Sequence, residues 1–152
     1  MGREVRRVPK DWEHPKDEQR GGYKPLYSGE RYEKNATGFM AMANADGLQA
    51  AIDYYGSAPD RNDYMPNWPD AERTHFMMYE DTTEGTPISP AFATPEELAR
   101  WLADNGASAF GKQTASYDAW LTVAKGGWAP SAVYSDRTGL ISGVEASTEI
   151  LK

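Results

Sequence analysis

Prolines and glycines interrupt this chain so often that its sequence favours short helices and strands. In the first 40 residues, three prolines and the Gly21-Gly22 pair exclude a continuous helix, because proline lacks the backbone N–H that a helix needs. The aromatic residues between these prolines argue against simple disorder, since such side chains usually pack against a surface. We therefore predict an extended N-terminal arm over residues 1–28 that packs on the rest of the protein or on a partner. For residues 1–8, a disordered tail is the alternative.

Two capped helices are predicted in the second half of the chain. Thr94 fits the N-cap of the first helix, Pro95 its first position, and Glu97 completes a capping box. Ser116 is the predicted cap of the second helix, which the Gly126-Gly127 pair ends. In both segments apolar residues recur at helical spacing, so each helix is expected to bury one face.

A further helix, a loop and a strand are predicted before these two helices. Residues 44–56 have helical spacing, with Asn44 as the cap and Gly56 as the stop. Residues 57–70 contain three prolines and predict a loop. Residues 74–80 are rich in apolar and aromatic side chains and predict a buried or half-buried strand.

The end of the chain predicts a β-hairpin, which completes the expected fold class. The runs 132–134 and 140–144 flank a turn at residues 136–139, whose last residue is a glycine that can adopt a positive φ. Strand, helices and hairpin together predict an α+β fold. Residues 29–152 are expected to form a single small domain with a three- to four-stranded antiparallel sheet and two to three helices.

Composition excludes several classes of protein. The chain has no cysteine, so disulfides, a thiolate nucleophile and cysteine-ligated zinc are all ruled out. The net charge of −7 argues against direct nucleic-acid binding, which needs cationic side chains to displace counterions. The longest run of small and apolar residues, Gly38–Ala43, is far shorter than the roughly 18 residues that span a bilayer. A cytoplasmic protein with no membrane segment is expected.

No sequence motif indicates catalysis, a metal or a cofactor. The two histidines, His14 and His75, lack the spacing of a metal-binding helix motif, and a structural role is favoured for His75. Ser108 lacks the second glycine of a nucleophile elbow. Phosphate-binding and dinucleotide-binding glycine loops are also missing. We therefore predict no catalytic residue, no metal site and no cofactor, and enzyme activity has no support from the sequence.

Several phrases of the sequence resemble a group of small proteins encoded in bacteriophage and prophage genomes. The resemblance covers about two-thirds of the chain and implies a genomic setting, since the group has no assigned activity. It provides no catalytic residues to carry over. The phrases are REVRRVPKDWEHPKD (Arg3–Asp17), EGTPISPAFATPEELARWLADNGASAFG (Glu84–Gly111), YDAWL (Tyr117–Leu121), GWAPSAV (Gly127–Val133) and SGVEA (Ser142–Ala146).

Negative charge concentrated in the middle of the chain suggests a partner-binding surface. Residues 45–104 contain twelve acidic and three basic residues, so this part of the chain carries a net charge of −9. With the phage setting, this predicts an accessory protein that binds a basic surface on a host protein in the host cytoplasm. Inhibition of a host defence or nucleic-acid-processing protein is one version of this function. The candidate contact residues are Asp60, Asp63, Tyr64, Trp68, Asp70, Glu72, Glu80, Asp81 and Glu84.

The same residues allow other interpretations. The acidic residues can simply form a solvated face, and Tyr64 and Trp68 can attach their loop to the protein itself. A small-molecule site or an active site near the 84–92 and 105–113 loops is the second functional hypothesis. A structural phage component is the third, in which the N-terminal arm reaches a neighbouring copy in a homo-oligomer.

Overall fold

The computed structural model describes residues 2–81, 85–130, 132–135 and 139–150, and in these residues the protein has the predicted α+β fold. The chain divides into two compact units. One unit comprises Met1–Lys24 and Trp68–Lys152, and the other, Pro25–Asn67, is inserted between them in the sequence. In chain order the elements are β1 (Gly2–Val8), α1 (Glu30–Asp46), α2 (Leu48–Tyr55), β2 (His75–Glu80), β3 (Thr86–Pro87), α3 (Pro95–Asp104), α4 (Tyr117–Gly126), β4 (Trp128–Pro130), β5 (Ala132–Ser135), β6 (Gly139–Ser142) and α5 (Gly143–Ile150).

A four-stranded antiparallel sheet forms the centre of the first unit, in the order β3-β2-β1-β4. Its strand β1 comes from the segment that the sequence assigns to an extended arm or a disordered tail, yet it lies inside the sheet between β2 and β4. The sequence of β1 lacks the alternation of a half-buried strand because it buries arginines. Arg3 is 4% exposed and donates from Nε to the carbonyl of Ser108, while Arg6 pairs with Glu4 over 2.7 Å.

Helices α3 and α4 cover one face of this sheet. Val5 of β1 lies opposite Met78 of β2, and both pack against the core that the two helices contribute. The predicted caps are present: the Thr94 hydroxyl accepts from the Glu97 N–H at 3.1 Å, and the Ser116 hydroxyl caps α4 in the same way. The buried helix residues in this core are Leu98, Ala99, Leu102, Ala119, Trp120, Val123 and Ala124.

Helices α1 and α2 form the main part of the second unit. Phe39 and Ala51 are buried in it, and the Phe39 and Tyr55 rings meet edge to face with centroids 5.8 Å apart. The sequence predicts a helix that begins after Asn44, but α2 begins only after Gly47. The backbone φ of +96° at Gly47 interrupts the helix at this point. Helix α1 was not predicted.

The C-terminal hairpin is confirmed, with β5 and β6 paired antiparallel. Gly139 has the expected positive φ, +71°, and the turn residues 136–138 lie outside the described residues. The second strand is shorter than predicted, because α5 begins at Gly143. A side chain at Gly143 would overlap the carbonyl of Pro130, so this close approach requires glycine.

Candidate functional site

A cleft of about 900 Å³ lies in the first unit, lined by residues of strand β2, helix α3 and two loop segments. One wall consists of residues 10–14 with Lys16 and Tyr23, and the other of residues 87–91 with Trp101. Met77 of β2 contributes to the lining between the walls. Part of the predicted 84–92 loop therefore borders a cleft, whereas residues 105–113 contribute none of the described residues that line it.

A series of hydrogen bonds involves two residues of the first wall, Trp12 and His14. His14 Nε2 lies 2.5 Å from the carbonyl oxygen of Lys24, which can only accept, so Nε2 carries the proton. His14 Nδ1 is then the acceptor for the Tyr79 hydroxyl at 3.0 Å. The same phenolic oxygen accepts from Trp12 Nε1 at 3.1 Å. The hydrogen bonds thus connect Trp12 to Tyr79, Tyr79 to His14, and His14 to the backbone carbonyl of Lys24.

Burial keeps His14 and Tyr79, the two titratable residues in this series of hydrogen bonds, neutral. It raises the pKa of Tyr79 to about 12, against the opposing effects of the Trp12 hydrogen bond and the Arg6 charge. Burial also lowers the pKa of His14; the Arg6 charge acts in the same direction, whereas the Lys24 carbonyl opposes the change. Arg6 lies 4.5 Å from the centre of the Tyr79 ring. A neutral, fully hydrogen-bonded pair of this kind supports the cleft wall.

Trp68, a predicted partner contact, packs against the same cluster. Its ring meets the Trp12 ring edge to face, with centroids 4.9 Å apart. Lys24 and Trp68 are the last and first residues of the first unit on either side of the inserted unit. Both positions that border the insertion are therefore attached to the Trp12–His14–Tyr79 cluster, which gives Trp68 a structural role.

The other acidic candidates of the first unit differ in their surroundings. Asp70 is 94% exposed at its side chain and pairs with Arg73, and Glu72 is exposed. Asp81 accepts from the backbone N–H of Gly2 and, at 3.0 Å, from Trp128 Nε1. Asp81 therefore connects the end of β2 with β1 and β4.

Glu80 is half-buried, and its carboxylate lies 3.9 Å from the Arg3 guanidinium. The Arg3 charge therefore faces Glu80 at the sheet, so this carboxylate helps to neutralise a buried arginine. Glu84 lies outside the described residues.

The candidates in the second unit comprise two exposed aspartates and one buried tyrosine. The Asp60 carboxylate accepts from the Asn62 N–H at 2.9 Å and begins a short 3-10 turn, and Asp63 is exposed. Tyr64, a candidate partner contact, is 8% exposed, and its hydroxyl accepts from Asn35 Nδ2 at 2.9 Å. Its ring packs against the Tyr27 and Tyr32 rings of the same unit.

Among the described residues, no group of three or more histidine, aspartate or glutamate side chains is arranged to hold a metal ion. The same residues contain no helix whose length and hydropathy would let it cross a bilayer. The second histidine, His75, has its Nδ1 2.8 Å from the hydroxyl of Thr74.

No protein-family model, curated protein or solved structure matches this chain. Within the described residues, the cleft is a concave site whose aromatic and charged side chains can contact a ligand.

Proposed function

We propose that this is a phage-encoded accessory protein that acts in the host cytoplasm by binding a segment of a host protein in the cleft. The proposal is supported by the cleft, which has a volume of about 900 Å³ and walls that combine apolar, aromatic and charged side chains. Ligand-binding clefts typically have volumes of about 300–1,000 Å³. The resemblance to phage proteins supports the phage setting.

The charges around the cleft favour a protein segment as its ligand. Lys10, Asp11, Glu13 and Lys16 line the cleft and are exposed, and no ion pair within the described part of the chain involves them. Two positive and two negative groups therefore remain available around apolar contacts from Met77 and Ile88. An extended peptide with charged residues of both signs can satisfy both kinds of surface at once.

The test compares two substitutions that differ only in position. Ala91 lines the cleft, whereas Ala93 is an exposed neighbour outside it. Tagged full-length protein is incubated with host lysate at low salt, and captured proteins are identified by mass spectrometry. We expect Ala91→Arg to lose a stoichiometric host protein that wild type and Ala93→Arg both retain. Equal capture by all three would exclude the cleft, provided circular dichroism shows that the variants are folded.

Docking through the acidic residues is the second candidate function. Asp60 and Asp63 are exposed in the second unit, and Asp70 and Glu72 are exposed in the first, so each unit offers acidic groups to a basic host protein. Changing Asp60, Asp63 and Asp70 to Asn should then abolish capture. The matched control changes three other exposed aspartates to Asn and alters the net charge equally; these are Asp46, Asp53 and Asp104. Loss in the first triple variant alone favours acidic docking over the cleft, and native mass spectrometry of the same samples tests for a homo-oligomer.

A further inference from the structure

The polar groups that line the cleft are mostly committed to internal hydrogen bonds. Trp12 donates its indole N–H to Tyr79, and both ring nitrogens of His14 have partners. The Ser89 hydroxyl accepts from the Met78 N–H and donates to the Pro90 carbonyl. None of these groups is left to bind a ligand.

Trp101 and Tyr23, two aromatic residues that line the cleft, carry donors that are not committed in this way. Within the described residues, neither the indole N–H of Trp101 nor the hydroxyl of Tyr23 makes a hydrogen bond, and Tyr23 is 45% exposed. An indole N–H can only donate, and a phenol donates readily. Among its uncharged side chains, the cleft therefore offers donors to a ligand, and a carbonyl oxygen is a matching ligand group.

The ring geometry favours a ligand with flat, apolar surfaces. The Trp12 and Tyr23 rings stand nearly perpendicular to the His14 imidazole, at 82° and 85°, with centroids 6.0 and 5.8 Å from it. The cleft lining therefore includes two large aromatic rings, one on each of two edge-to-face contacts with the central imidazole. Grooves lined by aromatic side chains accept the pyrrolidine rings of extended proline segments.

Resting on the proposed function, we infer that the cleft binds a proline-containing segment of the partner in the polyproline II conformation. Proline has a carbonyl but no N–H, so its backbone presents acceptors that match the free donors of Trp101 and Tyr23. Such a segment is already extended in solution, so less conformational entropy is lost on binding. The charges of Lys10, Asp11, Glu13 and Lys16 would then contact charged residues of opposite sign that flank the prolines.

The probe is a synthetic oligoproline peptide with one lysine and one glutamate at each end. Its control replaces the central prolines with alanine. The chain contains five tryptophans, and each indole N–H gives its own signal in a proton–nitrogen correlation spectrum. In full-length protein titrated to millimolar peptide, we expect the Trp101 signal to move with the proline peptide and the Trp128 signal to stay in place.

Three conservative variants complete the test. Trp101→Phe and Tyr23→Phe keep an aromatic ring but remove the donor, so each should weaken proline-peptide binding about fivefold to tenfold. Trp128→Phe removes an indole that bonds to Asp81 outside the cleft and should leave binding unchanged. Equal binding of the alanine peptide, or no binding of the proline peptide, would overturn the inference. The proposed function would still stand if Ala91→Arg alone lost the host protein.

Discussion

The Nδ1 atom of His14 lies 3.0 Å from the hydroxyl oxygen of Tyr79, in a buried hydrogen bond that joins residues 65 positions apart in the sequence. This bond attaches the proline-rich segment after β1 to strand β2. Because His14 and Trp12 both contact the Tyr79 hydroxyl and both line the cleft, one oxygen atom holds much of the first wall in position.

Tyr79→Phe should destabilise the protein by about 2–4 kcal/mol. The substitution leaves the Trp12 N–H without its acceptor and the His14 Nδ1 without its donor, and each buried unsatisfied group costs about 1–3 kcal/mol. Urea unfolding measures the difference. Tyr23→Phe is the matched control, because its hydroxyl makes no hydrogen bond within the described residues, and its change should stay within about 0.5 kcal/mol. Similar losses in both variants would contradict the structural role of Tyr79.

Acid should weaken the fold partly through His14. An unfolded histidine has a pKa of about 6.5, and burial lowers the pKa of His14 in the folded protein. Below about pH 6.5 the unfolded chain therefore binds a proton that the folded protein does not, and the free energy of unfolding decreases as the pH falls. Unfolding curves at several values between pH 7 and 5 should show a shallower decline for His14→Gln than for wild type. Parallel declines would mean that His14 does not contribute.

Alkali should weaken the fold through Tyr79. The unfolded side chain ionises near pH 10, whereas the folded one keeps its proton until its pKa of about 12. Between these values the unfolded state releases a proton first, so stability declines as the pH rises, by about 2–3 kcal/mol in total. Tyr79→Phe should lack this part of the decline when unfolding is measured from pH 9 to 12. An absorbance titration of folded wild type that shows every tyrosine ionising near pH 10 would contradict the prediction.

Gly2→Ala should disrupt the edge of the sheet. A Cβ at this position would overlap the carbonyl oxygen of Ala129 on β4, so β1 and β4 would have to separate. We expect a loss of about 3 kcal/mol in unfolding free energy, at the upper end for overpacking. Gly126→Ala provides the control, since a Cβ there meets no atom within 4 Å and alanine favours the helix. Similar stability of the two variants would refute the tight approach at Gly2.

Local signals made the two capped helices predictable. Thr94 and Ser116 each accept from a backbone N–H three residues later, so the sequence of one turn contains both partners. Strand β1 could not be predicted in this way. Its arginines find their partners far along the chain, as Arg3 does at Ser108, and no local pattern indicates that a cationic segment lies inside a sheet.

The candidate site was predictable only in part. The proline loop at residues 84–92 indicated one wall, but nothing in the sequence connects His14 with Tyr79, because their hydrogen bond depends on the tertiary fold. The concentration of acidic residues predicted the site less well, because sequence does not distinguish exposed acidic residues from those with structural contacts. Glu80 and Asp81 contact β1 and β4, whereas Asp70, which has the same charge, is exposed.

The interior position of β1 also determines when the sheet can form during translation. The ribosome completes β1 before either neighbour exists, and its partners arrive only with residues 75–80 and 128–130. Contacts of such long sequence separation slow folding, because a large loop must close before they form. The nascent chain must therefore keep an arginine-rich strand with at least one unpaired edge soluble until β4 emerges, and the charges of Arg3, Arg6 and Arg7 oppose its aggregation in that interval.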